Sequence, residues 1–404
     1  MADWSISQGS GPSRWSAAAL GASTTAPRVT EPMQRATPAR SAFLEAGASE
    51  GAGPDSPDLS QPNVSKASAT AFDVVIVGET GFIGCSIARR LAADGASVAV
   101  VAERIGSDSA LSRIEGVRCL EADISRPTEL CDRLEGARIV VNAVSTPIYA
   151  DWPKTLAAVE EQIEALTHAC LNGSPKGLIH LGSTASLYLG SSKARITGST
   201  PPDPSATRRS LYSRAKAAAD VMLLQRNHDR GLPVCILRPG IVVGEGGTPY
   251  HSCVGRFVDE QYCLGWNMGR NPLPFVWVED LANAVVATCK RGHLEGQCYN
   301  IVGDVRLSAR EYVSELAGAM GRPIHFQPQR VAGLYLAELG KWALAGDGGP
   351  RSRPPSYRDL KSLGLTAFFD CEDAKRELDW KPLADRDAFV EQCIRVHAAT
   401  DASR

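Results

Sequence analysis

A tyrosine and a lysine stand four residues apart in the stretch LYSRAKAAAD, as Tyr212 and Lys216. Positions i and i+4 of an α-helix lie on one face, so the two side chains would be neighbours in a helix. A tyrosine hydroxyl ordinarily has a pKa of about 10, and a nearby ammonium group favours its deprotonated form. Such a pair could exchange a proton with a bound substrate. The same spacing is also typical of a solvated helix surface, so the rest of the chain must decide.

A glycine-rich turn offers a second chemistry, the binding of phosphate groups. The stretch FDVVIVG predicts a buried strand, and GFIGCSIARRLAADG predicts the helix that follows it. Gly78, Gly81 and Gly84 fall at the turn between them. Glycine lets the backbone approach a pyrophosphate, and the helix N-terminus supplies N–H groups and a positive dipole end. We therefore predict a dinucleotide site, NAD or NADP, which also includes Thr80, Phe82 and Ile83.

The end of the second predicted strand should lie near the adenosine ribose. Glu103 and Arg104 follow the run VAVVA, about 20 residues beyond the glycine turn, the usual distance for the residue that discriminates the cofactors. A carboxylate there accepts a hydrogen bond from the ribose 2′-OH, whereas an arginine pairs with a 2′-phosphate. Because both types are present, the choice between NAD and NADP stays open.

The elements that would position these residues alternate along the chain. The apolar runs SVAVVA, VRCLEADI, ARIVVNAV, GLIHLGS and VCILRPG predict further strands, and residues 154–171 and 211–229 predict two long helices. This alternation is typical of a parallel sheet that is covered on both faces. We therefore predict the α/β class, with a Rossmann-like doubly wound parallel sheet and a smaller, irregular C-terminal lobe.

Composition and pattern divide the chain into three regions. Residues 1–70 are rich in Ala, Ser, Gly and Pro and predict a disordered tail. Residues 71–245 predict the NAD(P)-binding domain, and residues 246–400 predict mostly a substrate-binding lobe with segments that return to the sheet. The arginines of the first 40 residues leave an organelle transit peptide open, beside a plain tail or a start codon placed too early.

Bulk composition excludes several classes of protein. The chain has 404 residues with 44% apolar and 22% charged content and a formal net charge of -2, which favours neither nucleic acid nor a membrane as partner. No apolar run is long enough to predict a membrane span. The 11 cysteines lack C-x-x-C spacing, so we predict reduced thiols in a reducing compartment such as the cytoplasm, and no metal site.

Taken in order, these segments resemble the extended short-chain dehydrogenase/reductase superfamily, and specifically its NAD-dependent epimerase/dehydratase family. The resemblance covers residues 72–396. After the glycine turn it includes EADI, VNAV, GSTASLYLG, the Tyr-x-x-x-Lys pair and LRPGIVVGEGG. The blocks FVWVEDLANAVV, CYNIVGD and DCEDAKRELDWKP follow in the family's order. The ordered set is far more specific than any single block.

The resemblance implies a role for each matched residue. Tyr212 would be the acid/base, while Lys216 would favour the phenolate and hold the nicotinamide ribose. Thr184 would hydrogen-bond the substrate oxygen, and Ser183 would take a supporting part or cap local backbone. The other matched residues would contact the cofactor: Asp123 and Ile124 at the adenine side, Asn142, Ala143 and Val144 after the fourth strand, and Pro239 and Ile241 beside the nicotinamide.

Some positions depart from the family's pattern. The family often has an Asn-Val-x-Gly-Thr segment where residues 159–163 are VEEQI, so the asparagine that orders the active site is missing. We interpret His168, on the same predicted helix, as a packed or exposed helix residue. The superfamily's dehydratases place Asp and Glu directly after the threonine, and its sugar-acid decarboxylases also need a carboxylate at the second position. Here these positions are Ala185 and Ser186, which disfavours both reactions.

The resemblance implies hydride transfer at a secondary alcohol or ketone by an NAD(P)-dependent oxidoreductase, with a sugar derivative as substrate. A nucleotide-sugar epimerase with retained NAD and a non-catalytic NAD(P)-sensing module stay open as alternatives. The segment 244–278 is short, as in steroid dehydrogenase-like and flavonol reductase-like members. Four arginines could meet a sugar-nucleotide pyrophosphate or be surface charges: Arg256, Arg270, Arg322 and Arg330. The resemblance also implies a homodimer through helices 154–171 and 211–229.

Overall fold

The computed structural model describes residues 72–78, 81–106, 109–145, 147–173, 175–344 and 354–398. Thr80, which we predict to contact the cofactor, lies outside these residues, and so does nearly all of the predicted disordered tail.

A seven-stranded parallel sheet forms the centre of the described chain. Its strands are β1 (Val74–Val77), β2 (Val98–Ala102), β3 (Val117–Glu121), β4 (Ile139–Asn142), β5 (Gly177–Leu181), β7 (Val234–Pro239) and β12 (Gln297–Ile301). Their order across the sheet is β12-β7-β5-β4-β1-β2-β3. The chain therefore runs from β1 to β3 on one side and returns from β4 to β12 on the other, as in a doubly wound sheet.

Helices cover both faces of this sheet. On one face lie α1 (Phe82–Ala93) and α5 (Val278–Arg291), which pack against each other; on the other lie α2 (Pro127–Leu134), α3 (Trp152–Asn172) and α4 (Leu211–Arg230). Consecutive strand residues serve opposite layers, since Val75 packs into the α3–α4 core and Ile76 into the α1–α5 core. The predicted fold class is confirmed, and the apolar strand runs are explained by burial on both faces.

Local signals account for the helix that carries Tyr212. The Ser210 side chain accepts a hydrogen bond from the Ser213 N–H at the start of α4, and Gly231 ends the helix in the left-handed conformation with φ +68. Serine at the N-cap and glycine beyond the C-terminus are the expected helix boundaries. The predicted ranges of both long helices agree with α3 and α4 to within two residues at each end.

The remaining elements are short and irregular. The strands are β6 (Arg195–Ile196), β8 (Ile241–Val243), β9 (Gly255–Val258), β10 (Tyr262–Gly265), β11 (Phe275–Trp277), β13 (His325–Gln327) and β14 (Phe368–Phe369). The helices are α6 (Ala309–Ala319), α7 (Val331–Leu344), α8 (Tyr357–Leu363), α9 (Glu372–Leu378) and α10 (Arg386–Cys393). The strands pair as β13-β10-β9, β11-β8 and β14-β6, outside the main sheet.

Composition predicts reduced thiols and no membrane-spanning run. All 11 cysteines are free, and most of them are buried or half-buried. Among the helices of the described ranges, none is both long and apolar enough to cross a bilayer.

Candidate active site

The sheet order brings the predicted site residues to one edge. β7, β5, β4 and β1 are consecutive neighbours, and all run in the same direction. Their carboxyl ends carry Pro239, Leu181, Asn142 and Gly78, respectively. In doubly wound sheets, ligands bind at this edge, where the order of the strands reverses. Residues as far apart in sequence as Gly78 and Pro239 are therefore brought to the same edge of the sheet.

The glycine turn lies directly against the end of β4. Gly78 has φ +103, a conformation that side-chain-bearing residues rarely adopt, and its N–H donates to Val101 O at 2.8 Å. A Cβ built on Gly78 would lie 2.3 Å from Val144 Cγ2, so no larger residue fits. The ring of Phe82 packs against Gly247, whose Cβ would lie 3.0 Å from it. Gly78 is thus required by both conformation and space.

Helix α1 begins at this turn without a side-chain cap. Its N-cap is Gly81, which has no side chain to accept from the first-turn N–H groups, and the first turn contains no acidic residue. Ile83 and Gly84 follow in this first turn. N–H groups that no N-cap side chain engages, together with the positive end of the helix dipole, suit an anion. The residues present therefore fit the pyrophosphate of a dinucleotide.

The residues predicted for the adenine side of the cofactor lie after β2 and β3, and Asp123 makes contacts within its own segment. Glu103 and Arg104 are exposed after β2, so their positions do not distinguish NAD from NADP. The Asp123 carboxylate accepts from Ser125 Oγ at 2.6 Å and pairs with Arg126 at 3.0 Å. The hydrogen bonds from Ser125 hold the pKa of Asp123 below its usual range. Asp123 is therefore ionised and orders the start of α2, while Ile124 beside it is half-buried.

Helix α4 carries Tyr212 and Lys216, and it brings Lys216 to the end of β5. Both side chains are half-buried, and Lys216 Nζ donates to Leu181 O at 3.4 Å. The 3₁₀ turn Thr184–Ser186 packs against the same helix. Thr184 is buried, with 6% of its surface exposed. The predicted tyrosine, lysine and threonine are therefore carried by two elements that touch at the carboxyl edge.

The two serines of this turn have structural roles. Ser183 Oγ accepts from the Ala185 N–H at 3.1 Å. Of its two predicted roles, a supporting part in catalysis and the capping of local backbone, the structure shows the second. Ser186 is fully buried, and its hydroxyl contacts Asp220 Oδ2 at 2.8 Å. The turn is thereby fixed to α4 four residues beyond Lys216.

A buried ion pair, which sequence reasoning missed, holds α4 to β7. Arg238 Nε donates to Asp220 Oδ2 at 2.8 Å, and the side chains are 1% and 0% exposed. Arg238 Nη1 also donates to Thr200 O at 3.0 Å. Burial raises the pKa of Asp220, and Arg238 opposes that shift. The sequence VCILRPG contained a signal for this ion pair, because an arginine inside an apolar strand needs a buried partner of opposite charge.

A second buried contact lies beneath the site. Asn142 Nδ2 and His180 Nδ1 are 2.8 Å apart, and Asn142 Oδ1 accepts from Val144 N at 3.1 Å and Gln162 Nε2 at 3.3 Å. Burial, together with the charges of Lys216 and Arg238, lowers the pKa of His180 to about 3, so its ring is neutral. Gln162 belongs to the VEEQI segment that lacks the family's asparagine. An amide from this helix therefore does reach the end of β4.

The segment predicted to border the nicotinamide is held by backbone hydrogen bonds. The Gly240 N–H donates to Ile301 O at 3.1 Å, and the Ile241 N–H donates to Pro274 O at 2.7 Å. Pro239 and Ile241 are both buried. The predicted residues thus lie on backbone that two neighbouring segments fix in place.

Helix α8 reaches the same region from the C-terminal lobe. The Arg358 guanidinium lies 3.8 Å from the ring centroid of Tyr188, which is four residues after Thr184. Arg358 also pairs with Asp203, which Arg209 contacts at 3.2 Å. The side chains of Asp203 and Arg209 are almost fully buried. These ion pairs fix the lobe to the segment that precedes α4.

Other predicted candidates lie outside this arrangement. Arg322 pairs with Glu260 and donates to Tyr250 Oη at 2.6 Å. The other three arginines are exposed: Arg256, Arg270 and Arg330. His168 is exposed on α3, with Cys131 Sγ 3.5 Å from its Nδ1, so it is a surface residue as predicted.

A cleft of about 680 Å³ opens elsewhere, beside the β12 edge strand. Its lining includes Thr200, Arg238, Tyr299, Asp373 and Glu377, but neither the glycine turn nor Tyr212. The residues predicted for catalysis and for cofactor binding lie apart from this cleft, on elements that meet at the carboxyl edge of the sheet.

Comparisons with known proteins agree with this geometry. The model of the NAD dependent epimerase/dehydratase family matches residues 74–302. The isoform 3 3beta-hydroxysteroid-dehydrogenase/decarboxylase of Arabidopsis thaliana is 23% identical over 333 residues, 76% of this chain and 58% of that protein. A UDP-glucose 4-epimerase of Vibrio cholerae is 23% identical over 315 residues, 76% of this chain and 90% of that protein. The chain thus spans little more than half the length of the plant relative.

Among solved structures, the chain is similar to the dTDP-glucose 4,6-dehydratase DesIV of Streptomyces venezuelae, solved with NAD and TYD bound. The TM-score is 0.63 at 18% identity, over 82% of this chain and 98% of that one. At this identity the likeness concerns the fold alone. The family model, however, covers more than half of the chain and includes the glycine turn, Thr184 and the Tyr212–Lys216 pair. The chain belongs to the NAD dependent epimerase/dehydratase family.

Proposed function

We propose that the chain is an NAD(P)-dependent oxidoreductase that transfers a hydride at a secondary alcohol or ketone of a sugar derivative. One arrangement carries the proposal. The glycine turn that fits a pyrophosphate and the end of β5, where Lys216 Nζ contacts Leu181 O, lie on the same sheet edge. Tyr212 and Thr184 lie on the two elements that meet there.

Each residue of the site has a distinct task in this proposal. When bound, the nicotinamide ring supplies the hydride acceptor or donor. Tyr212 takes the proton of the substrate hydroxyl during oxidation and returns it to the oxygen during reduction. Thr184 donates a hydrogen bond to the same oxygen while charge develops there. Lys216, half-buried one turn from Tyr212, supplies the positive charge that favours the phenolate.

The residues after Thr184 argue against water elimination. Elimination needs an acid/base pair beside the reacting carbons, whereas Ala185 and Ser186 occupy these positions. Asp220 does not replace the missing carboxylate, because it is fully buried and bonded to Arg238. The turn therefore supports proton exchange at one oxygen, without a second acid/base group.

An epimerase with retained NAD is the second candidate. It uses the same three residues, and a UDP-glucose 4-epimerase is among the similar proteins. A sugar nucleotide needs cationic groups for its diphosphate, and Arg256 and Arg270 are exposed in the lobe where such a group would bind. Arg322, by contrast, is already paired with Glu260.

Cofactor content separates the two candidates. The protein is purified without added cofactor and denatured, and any released nicotinamide is identified by mass spectrometry. An empty protein that consumes added NADH or NADPH with a ketone panel supports the oxidoreductase. Near-stoichiometric NAD, together with interconversion of sugar nucleotides followed by NMR, supports the epimerase. An empty protein that binds neither NADH nor NADPH contradicts both.

We also propose a homodimer through the outer faces of α3 and α4 and residence in a reducing compartment such as the cytoplasm. The two helices are joined within the chain by Glu164, which contacts Arg226 at 3.2 Å and Arg230 at 2.8 Å, so they form one continuous surface. Light scattering during size-exclusion chromatography tests the dimer. The substitution Ala157→Glu, which introduces a negative charge at an exposed position of α3, should shift the mass to that of a monomer.

A further inference from the structure

Two neighbouring charged residues of α8 contact the two elements that carry the proposed catalytic residues. The first contact is made by Asp359 at the start of α4. Its Oδ1 atom accepts from the Ser210 N–H at 2.9 Å and from Arg209 Nε at 3.1 Å. Ser210 is the N-cap of α4 and precedes Tyr212 by two positions. A carboxylate of the C-terminal lobe therefore holds the first turn of the helix that carries the proposed acid/base.

The second contact is made by Arg358, next to the 3₁₀ turn Thr184–Ser186, which we call the Thr184 turn. The Arg358 guanidinium lies 3.8 Å from the ring centroid of Tyr188, and its Nε donates to Asp203 Oδ2 at 3.2 Å. The Asp203 N–H in turn donates to Ser186 O at 2.8 Å. One arginine therefore reaches the Thr184 turn by two routes, through a tyrosine ring and through a carboxylate.

Arg209 joins these two contacts into one cluster. Its Nη1 donates to Leu187 O at 2.9 Å and to Asp203 Oδ2 at 3.2 Å, and its Nη2 donates to Ser213 Oγ at 3.2 Å. The side chains of Arg209 and Asp203 are 4% and 1% exposed. Burial would raise the pKa of Asp203, but the hydrogen bonds that it accepts, first from Arg358, hold that pKa below its usual range. Asp203 is therefore ionised, and the cluster contains two carboxylates and two guanidinium groups.

This cluster is a second attachment between the Thr184 turn and α4. The first attachment is the contact of the Ser186 hydroxyl with Asp220 Oδ2 at 2.8 Å. Ser213, which Arg209 contacts, lies about two helical turns before Asp220. A turn that is attached at one point can rotate about that point, whereas two attachments fix its orientation. The cluster therefore determines how the Thr184 turn faces the start of α4.

The orientation of the Thr184 turn matters because Thr184 and Tyr212 must meet at one substrate oxygen. In the proposed mechanism both side chains form a hydrogen bond to this oxygen, which requires distances of about 2.6–3.2 Å between heavy atoms. A misplacement of about 1 Å can lower the rate about 100-fold. Because the two residues lie on different elements, the contacts between these elements set the distance.

We propose that Arg358 and Asp359 are positioning residues, which hold the proposed acid/base and the proposed hydrogen-bond donor at the spacing that the reaction needs. They act through Tyr188, Asp203 and Ser210, and not on the substrate. Turnover therefore depends on how α8, an element of the C-terminal lobe, is seated against the sheet domain. The inference rests on the proposed function and holds for both of its candidates, because the oxidoreductase and the epimerase use the same three residues.

The kinetics of Asp359→Ala, alone and combined with Thr184→Val, test the proposal. The single variant should lower kcat at least about tenfold. The Kd for NADH or NADPH should stay within about twofold, because the glycine turn joins β1 to α1 and the cluster contacts neither. In the Thr184→Val background, Asp359→Ala should lower kcat less than about threefold, because the hydroxyl that it misplaces is already missing. A contact with a merely structural role would lower kcat by the same factor in both backgrounds.

Asp370→Ala is the matched control, because the ion pair of Asp370 with Arg195 joins β14 to β6 instead. Its kcat should be close to that of the wild type. Amide hydrogen exchange, followed by mass spectrometry, gives a second measurement that needs no turnover. Asp359→Ala should speed exchange in the peptides that span residues 184–189 and 210–216, and Asp370→Ala should not. If Asp359→Ala does not fold, Arg358→Lys takes its place, since it keeps the charge but loses the planar stacking on the tyrosine ring.

The outcomes separate this inference from the proposed function. The inference is overturned if the variant keeps the wild-type kcat, or if its loss of kcat is equally large with and without the threonine hydroxyl. A wild type that converts neither ketones nor sugar nucleotides contradicts the proposed function, and hydrogen exchange then decides the inference by itself. Faster exchange in both peptides supports the coupling of the two elements by α8, and exchange like that of the wild type overturns it.

Discussion

Lys216 Nζ lies 3.4 Å from the carbonyl oxygen of Leu181, the last residue of β5. This contact fixes the lysine side chain at the carboxyl edge of the sheet, one helical turn from Tyr212. The ammonium group cannot be reproduced by an apolar side chain of similar length. The contact also joins α4 to the strand that leads into the Thr184 turn.

Lys216→Met should impair both cofactor binding and turnover. In the proposed mechanism, the variant keeps the volume of the side chain but loses the charge that would favour the phenolate and the donor that would bind the nicotinamide ribose. We expect at least a tenfold increase in the Kd for NADH or NADPH, measured by fluorescence titration. Lys290→Met is the control, because Lys290 pairs with Asp94 on the surface. A Kd unchanged in Lys216→Met would remove the lysine from the cofactor site.

Gly78→Ala should abolish cofactor binding or folding, whereas Gly95→Ala should not. Both glycines have positive φ, +103 and +85, so both substitutions carry backbone strain of about 1 kcal/mol. A Cβ at Gly78 also meets Val144 at 2.3 Å, while a Cβ at Gly95 meets nothing within 4 Å. Thermal melting and cofactor titration distinguish the two variants. If the two variants have equal melting temperatures and equal Kd values for the cofactor, the close approach of Gly78 to Val144 is unimportant.

Asp220→Asn should destabilise the protein strongly. It leaves the buried Arg238 guanidinium without its anionic partner, and breaking a buried pair in this way costs about 3–5 kcal/mol. Glu164→Gln is the matched control, because Glu164 forms exposed pairs with Arg226 and Arg230 that contribute about 1 kcal/mol or less. Urea unfolding of the two variants measures both values. A loss of similar size in both would contradict a special role for the buried pair.

Asp280→Asn should stabilise the protein at neutral pH. Burial raises the pKa of Asp280 from 3.8 to about 6, even though its carboxylate accepts from the Leu383 N–H. Between these two values the folded state holds a proton that the unfolded state has released. The contribution to stability is therefore fully present below about pH 4 and lost as the pH rises through 6, by about 3 kcal/mol at most.

The neutral amide imitates the protonated acid, so the benefit of Asp280→Asn should be small at pH 4 and reach its maximum above pH 7. Urea unfolding of the variant and the wild type over this pH range measures the difference. Glu279→Gln, at the neighbouring position, removes one of the charges that raise the pKa of Asp280, so it should reproduce only a small part of this pH dependence. A benefit that is constant with pH would contradict the raised pKa.

The sequence predicts those parts of the fold that depend on local patterns. Strand runs that are buried on both faces, the capped helix around Tyr212 and the glycine turn are all specified within about 20 consecutive residues. The alternation of strands and helices predicts a doubly wound parallel sheet, and the resemblance to the family is confirmed by the family model. Gly78 is predicted because glycine lets the backbone approach a pyrophosphate, whereas its positive φ and its contact with Val144, which depends on how β1 and β4 pair, are seen only in the structure.

Long-range side-chain contacts were not predictable in the same way. Arg238 signalled a buried partner, but Asp220 became that partner only through the packing of α4 on β7. His180 looks like any polar residue in a strand, and its neutral ring follows from complete burial beside two cations. The exposure of α7, in which no residue is buried, contradicts what its apolar sequence suggests, because periodicity does not reveal what a helix packs against.

The most direct test of the account is the turnover of Tyr212→Phe on a secondary alcohol or ketone that the wild type converts, with the cofactor Kd measured in parallel. Loss of the hydroxyl removes proton exchange but leaves the ring, so we predict a fall in turnover of at least about 100-fold with a nearly unchanged Kd. Tyr262→Phe, which removes an exposed hydroxyl on β10, should behave like the wild type. Undiminished turnover in Tyr212→Phe would contradict the proposed mechanism.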